Sequence, residues 1–126
     1  MKFIVSETYR KKLTDVCESS EKTMPTVKYM AFGNGAEDSN GKVIELNGSE
    51  KALRNELLRK ELEIAERDGS VRINYGYLVK IDELVNSRIN ETALYDKDGD
   101  LVAIKVFESR VKKPGMEMTF VMTMKN

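Results

Sequence analysis

Along the chain, apolar and polar residues recur with two periods, and each period predicts a different kind of element. Tyr9, Leu13, Val16 and Cys17 stand three and four residues apart, the spacing that lines one face of a helix over 6–20. Ser6 supplies its cap, Cys17 reads as a small buried core residue, and Lys11, Lys12 and Glu18 fall on the solvated side.

Beyond Met24-Pro25 a period of two takes over. Residues 27–32 predict a short strand stopped by Gly33-Asn34-Gly35. Residues 33–48, with Gly at 33, 35, 41 and 48 among Asn, Asp and Ser, predict a loop tacked down by Val43, Ile44 and Leu46. Ser49 predicts the cap of a second short helix over 49–57. Strands over 60–66 and 71–79 meet at Asp68-Gly69, a two-residue hairpin that sets Arg67 opposite Ser70, Ile64 opposite Ile73 and Leu62 opposite Tyr75.

Leu84-Val85 starts a connection into strands over 88–95 and 101–108, which flank the turn Asp96-Lys97-Asp98-Gly99-Asp100. A loop of 97–99 with Gly99 left-handed pairs Leu94 with Val102, Glu91 with Lys105 and Ile89 with Phe107. After Lys112-Lys113-Pro114-Gly115, Met116, Met118, Phe120, Met122 and Met124 alternate with Glu117, Thr119, Val121 and Thr123 in a last strand. Its methionine face either fills a core or makes an adaptable subunit contact. The whole predicts an α+β fold: antiparallel hairpins forming a sheet or small sandwich, with an N-terminal helix and a second short helix. A chain of 126 residues suits a single domain over 1–126.

Composition narrows the functions. Lys and Arg together number 21, as do Asp and Glu, so no basic excess points to nucleic acid or an anionic membrane. No stretch has the apolar length of a signal peptide or membrane span, and the lone Cys17 cannot form an internal disulfide. Gly33-Asn34-Gly35 lacks the third glycine and the directly following helix of a dinucleotide cradle. The acidic turn resembles a calcium loop in composition, but counting from Asp96 its Gly99 comes fourth and Phe107 twelfth, where such a loop needs Gly sixth and Glu twelfth. Asp96, Asp98 and Asp100 are expected in a solvated turn. With no His and no convergent acid, base and nucleophile, neither an enzyme nor a metal or other cofactor is expected.

The run Ile89-Asn90-Glu91-Thr92-Ala93-Leu94-Tyr95-Asp96-Lys97-Asp98-Gly99-Asp100-Leu101-Val102-Ala103 resembles a segment of the N-terminal domain of phage tail-collar fibre proteins. In that family the pattern is Glu, a hydrophobic residue, Gly, Leu, an aromatic or apolar residue, then Asp-x-x-Gly-x-Leu-hydrophobic-Ala, so Ala93 here departs from the expected Gly. Val27 to Gly35 is similar to the family's early strand ending in Gly-Asp-Gly, with Asn34 in place of the Asp. Ala52-Leu53-Arg54-Asn55-Glu56 resembles its Leu-x-Asn-Glu segment, Lys113-Pro114-Gly115 the turn before its last strand, and Lys125-Asn126 its usual close.

The resemblance implies a virion structural protein of a phage or prophage-derived tail. Such a part attaches or adapts a tail fibre to the baseplate through contacts with other tail or baseplate proteins. It is assembled in the bacterial cytoplasm, and a homotrimer is implied. Family members continue into a fibre shaft and tip, so host recognition is expected to fall to another chain. The expected contact residues are Asn34, Glu37, Asp38 and Asn40 in the long loop and Arg110, Lys112 and Lys113 in the charged turn. A free-standing glycan- or peptide-binding module is the alternative, with Tyr75 and Tyr77 as its aromatic feature.

Overall fold

The computed structural model describes residues 2–125, so Asn126 of the closing Lys125-Asn126 pair lies outside the described residues. Strand β1 (Lys2–Val5) leads into helix α1 (Glu7–Glu18), and seven further strands follow: β2 (Val27–Gly33), β3 (Glu56–Glu61), β4 (Ile64–Asp68), β5 (Arg72–Val79), β6 (Arg88–Asp96), β7 (Leu101–Val111) and β8 (Met118–Lys125). They form two antiparallel sheets, one ordered β1-β7-β6-β2-β3 and the other β4-β5-β8. This is an α+β fold, with α1 as the one helix among the described residues.

The helix begins as its sequence predicts. The Ser6 hydroxyl accepts the Tyr9 N–H at 3.1 Å and donates to the Leu101 carbonyl, so the cap also fastens α1 to β7. Tyr9 is buried and Leu13 packs against the core, but Cys17, in the last turn of the helix, is exposed rather than buried. Lys12 is not simply solvated; its contacts are described below.

Two cores lie on the two faces of the larger sheet. Between the sheets, Met30, Phe32, Tyr77, Val79, Leu94, Phe107, Phe120 and Met122 pack together, with Phe32 and Phe120 ring centroids 5.0 Å apart. The opposite face carries Ala31, Ala93, Tyr95, Leu101, Ile104 and Val106, and it is covered by chain from the 34–55 segment through Ala36, Val43, Ile44, Leu46 and Leu53. Double coverage explains why β6 is buried at every residue from Ile89 to Asp96, where a half-exposed strand would alternate. The three residues expected to tack the loop down do so.

Two expected elements and two expected registers are corrected. The second short helix over 49–57 does not form: residues 49–55 are irregular and Glu56 already opens β3. Side chains take the N–H groups of 53–55 that a helix would use internally: Tyr95 accepts from Leu53, and Glu91 from Arg54 and Asn55, while just before them Glu50 accepts from Asn47 and Gly48.

The single strand over 60–66 is two strands in different sheets. Leu62 N–H still donates to Lys28 of β2, whereas Glu63 N–H donates to Gly76 of β5, so the chain changes sheets between them. The following hairpin turns on Gly69-Ser70-Val71, with Asp68 opposite Arg72 and Ile64 opposite Gly76 in place of Ile73. Arg67 steadies that turn by donating to the Gly69 and Ser70 carbonyls. The slip is odd, so it exchanges faces. Ala65, not Leu62, sits opposite Tyr75.

Between β6 and β7 the loop 97–99 and left-handed Gly99 (φ +85°) form as predicted, with Asp96 N–H bonded to the Asp100 carbonyl. A bulge between Leu94 and Tyr95 then shifts the register by one: Leu94 faces Ala103 and Glu91 faces Val106, and a second bulge sets Ile89 opposite Arg110. The expected Glu91–Lys105 pair is absent because Glu91 points to the loop-covered face.

Candidate functional site

At one end of the larger sheet, three distant segments meet on a single carboxylate. Glu91 is fully buried. Its Oε2 accepts the N–H groups of Gly35 and Asn55, each at 2.9 Å, and its Oε1 accepts that of Arg54 at 3.0 Å. No side-chain cation pairs with it among the described residues, so these backbone dipoles compensate the charge.

The approach is close enough to demand glycine. A Cβ at Gly33 would stand 2.3 Å from the Asn55 carbonyl oxygen, and one at Gly35 would stand 2.7 Å from Arg54 Cβ. Asn34 and Asn55 close the join from outside, through the Asn34 N–H on the Asn55 carbonyl at 3.2 Å and a bond between their side-chain amides.

Neighbours of Glu91 on β6 extend the clamp. Asn90 accepts the Ala36 N–H at 2.9 Å and donates to the Asn34 carbonyl and the Ser109 hydroxyl, both at 3.2 Å. The Tyr95 hydroxyl accepts the Leu53 N–H at 3.1 Å, while the Arg59 guanidinium lies 3.7 Å from the Tyr95 ring centre. Burial raises the Tyr95 phenol above its ordinary pKa.

A second centre ties helix to hairpin. Asp96 is buried and its Oδ1 accepts the N–H groups of Asp98 and Asp100, at 3.0 and 3.1 Å. The Lys12 ammonium reaches Asp96 at 2.6 Å, Asp100 at 2.8 Å and Asp98 at 3.3 Å. Burial opposes the lysine charge, and the bonds to Asp100, Asp96 and Asp98 outweigh it, so its pKa lies above the usual lysine value. Asp98 and Asp100 are exposed, as expected of a solvated turn, whereas Asp96 is buried beneath Lys12.

The predicted contact residues separate into two groups. Asn34 is exposed on the clamp; Glu37 is half-buried against Ser109 and Arg88. Asp38 and Asn40 are exposed, with the Asp38 carboxylate accepting the N–H groups of Asn40 and Lys42 to shape the turn. Arg110 is exposed beside Phe107, and Lys113 is exposed.

Lys112 is a correction: it is fully buried and cannot meet a partner. Its Nζ lies 3.2 Å from the Ile81 carbonyl, and its own backbone bonds Asn86 and Ser87, so it holds the 80–87 connection in place. Asn34 and Glu37 thus stand together by Asn90 and Ser109, whereas Asp38 and Asn40 occupy the loop's outer turn.

Tyr77 is buried with its hydroxyl on Glu83, and half-buried Tyr75 lines a cleft of about 420 Å³ with Tyr9, Pro25, Val27, Ile73 and Met124. Glu91, Asn90, Tyr95 and Lys12 were not anticipated as organising residues. One signal was present: Glu91 is a lone acid inside an otherwise uncharged run from Ile89 to Tyr95. No helix among the described residues is long and apolar enough to cross a membrane.

Comparison with protein-family models, curated proteins and solved structures found no match to this chain.

Proposed function

We propose that the protein is a structural part of a phage or prophage-derived tail, attaching or adapting a fibre to the baseplate by protein–protein contacts. The observation that carries this reading is the clamp on Glu91. Gly33-Asn34-Gly35, Leu53-Arg54-Asn55-Glu56 and the block beginning at Glu91 each resemble a separate stretch of the tail-collar domain, and the three are joined in space by direct bonds. Chance matches scattered along a chain have no reason to converge on one buried group.

The arrangement suits the role. A connector under load needs its long segment fixed, and here 34–55 is packed on the sheet and bonded at both ends. Asn34, Asp38, Asn40, Arg110 and Lys113 remain available at the surface for contacts with neighbouring tail proteins.

Mass spectrometry of tail particles purified from the producing strain tests the assignment. The chain is expected at fixed stoichiometry to baseplate proteins; its absence from intact particles would contradict the role.

A glycan- or peptide-binding module remains the second reading, favoured by the cleft at Tyr75. A stabilising shift in melting temperature with a short apolar peptide or an oligosaccharide would support it, and no shift across such panels would count against it.

A further inference from the structure

The two sheets end in four edge strands: β1, β3, β4 and β8. Three of them are blunted. Strand β1 has only four residues, β3 carries Glu56, Arg59, Lys60 and Glu61, and β4 ends in Glu66-Arg67-Asp68. Strand β8 is the least protected: Met118 to Met124 includes no charge and no proline, its single charge is the terminal Lys125, and its pairing with β5 runs from Met118 to Lys125 without a shift.

Backbone parity fixes which groups of β8 are free. The Gly76 carbonyl accepts from Glu63, so Gly76 turns its peptide groups toward β4. Its partner Val121 must then turn its own N–H and C=O to the outer edge, and Thr119 and Thr123 do the same. No intrachain bond among the described residues reaches that edge. It opens on a cleft of about 210 Å³ lined by Lys105, Phe107 and Arg110.

We propose that β8 pairs antiparallel with β8 of a second copy of this chain, across a two-fold axis through Val121. Outward-facing residues must pair with one another, so allowed registers change in steps. The register centred on Val121 sets Val121 opposite Val121, Thr119 opposite Thr123 and Glu117 opposite Lys125 of the second copy. Opposite charges therefore meet at both ends of the ladder. Registers displaced to either side lose the charge pairing.

Packing favours the same arrangement. On the inner face Phe120 meets Met122 and Met118 meets Met124, apolar against apolar. On the outer face Ile64 and Val121 close over Gly76, where an added Cβ would stand 3.2 Å from each, and Val121 remains 40% exposed. Pairing carries that apolar strip into its counterpart and joins the two small sheets into one. An isologous contact of this kind closes at two copies, whereas the family resemblance implies three. The dimer does not depend on the tail role.

Sedimentation equilibrium over a concentration series decides the matter. The wild type is expected to be a dimer, and V121K, which sets like charges across the axis at an exposed position, is expected to be a folded monomer. E117K and K125E should each loosen the dimer by about tenfold, and the double reversal should restore it. A monomer up to about 1 mM, a trimer, or a dimer that survives V121K would overturn the proposal. Should V121K fail to fold, mild oxidation in a C17S background gives the answer. V121C is expected to form a disulfide-linked dimer and T119C is not; equal cross-linking of both, or of neither, would contradict the register.

Discussion

The Glu91 carboxylate accepts the Asn55 backbone N–H at 2.9 Å, across 36 residues of chain, and that bond fixes where the long segment crosses the sheet. Replacing Glu91 by Gln preserves shape but puts an amide N–H₂ where backbone donors already point. E91Q is expected to lose about 2–4 kcal/mol of stability in urea unfolding, because buried donors are left facing another donor. A loss below about 0.5 kcal/mol would mean that the clamp carries little energy.

Close approach, not backbone conformation, restricts Gly33 and Gly35. G33A and G35A should each cost about 2 kcal/mol or more through overlap with Asn55 and Arg54. At Gly41 the space is open and only its φ of +78° resists, so G41A should cost about 1 kcal/mol. Equal effects at all three positions, measured by thermal unfolding, would remove the distinction.

Lys12 is the shared cation of Asp96, Asp98 and Asp100. K12M leaves buried Asp96 without it. The expected loss is about 1–2 kcal/mol, less than for a fully buried pair, because a quarter of the lysine side chain remains in water. Chemical unfolding at neutral pH measures it.

The chain has no His, so stability should form a broad plateau across the neutral range. Burial raises the Tyr9, Tyr75, Tyr77 and Tyr95 phenols in the folded state. Their contribution is complete below the unfolded value near 10 and is lost as pH rises through the higher folded values, since the unfolded chain releases its protons first. Burial works to raise Glu50 and Glu83, but their hydrogen bonds outweigh it, and the Lys80 bond chiefly lowers Glu63; all three lie below the usual carboxylate value. Their contribution is present above the unfolded value of 4.5 and is lost as pH falls through the lower folded values. Melting temperatures should therefore be level from about pH 6 to 9 and fall on both sides.

Local pattern made most strands legible, because alternation and turn residues are short-range signals. The β6–β7 turn with left-handed Gly99 and the capping of α1 by Ser6 were visible in this way. What was hidden depends on distant partners. Nothing near Ser49 reveals that Glu91 and Tyr95 will take the amides of residues 53–55, so a helix looked the better use of them. The change of sheet at Leu62-Glu63 was equally silent, since both halves alternate as one strand would. Lys112, in a run that reads as an exposed turn, is buried by the 80–87 connection folding over it. Of the clamp, the glycines, the Leu-Arg-Asn-Glu stretch and Glu91 are each legible singly; that Glu91 is the acceptor the other two share is not.

Amide hydrogen exchange on the native protein tests the clamp most directly. If Glu91 holds the 34–55 cover to the sheet, the N–H groups of Gly35, Arg54 and Asn55 exchange as slowly as those of β6, and all three become fast together in E91Q while β6 stays protected. Fast exchange of these three amides in the wild type, or unchanged protection in E91Q, would contradict the account.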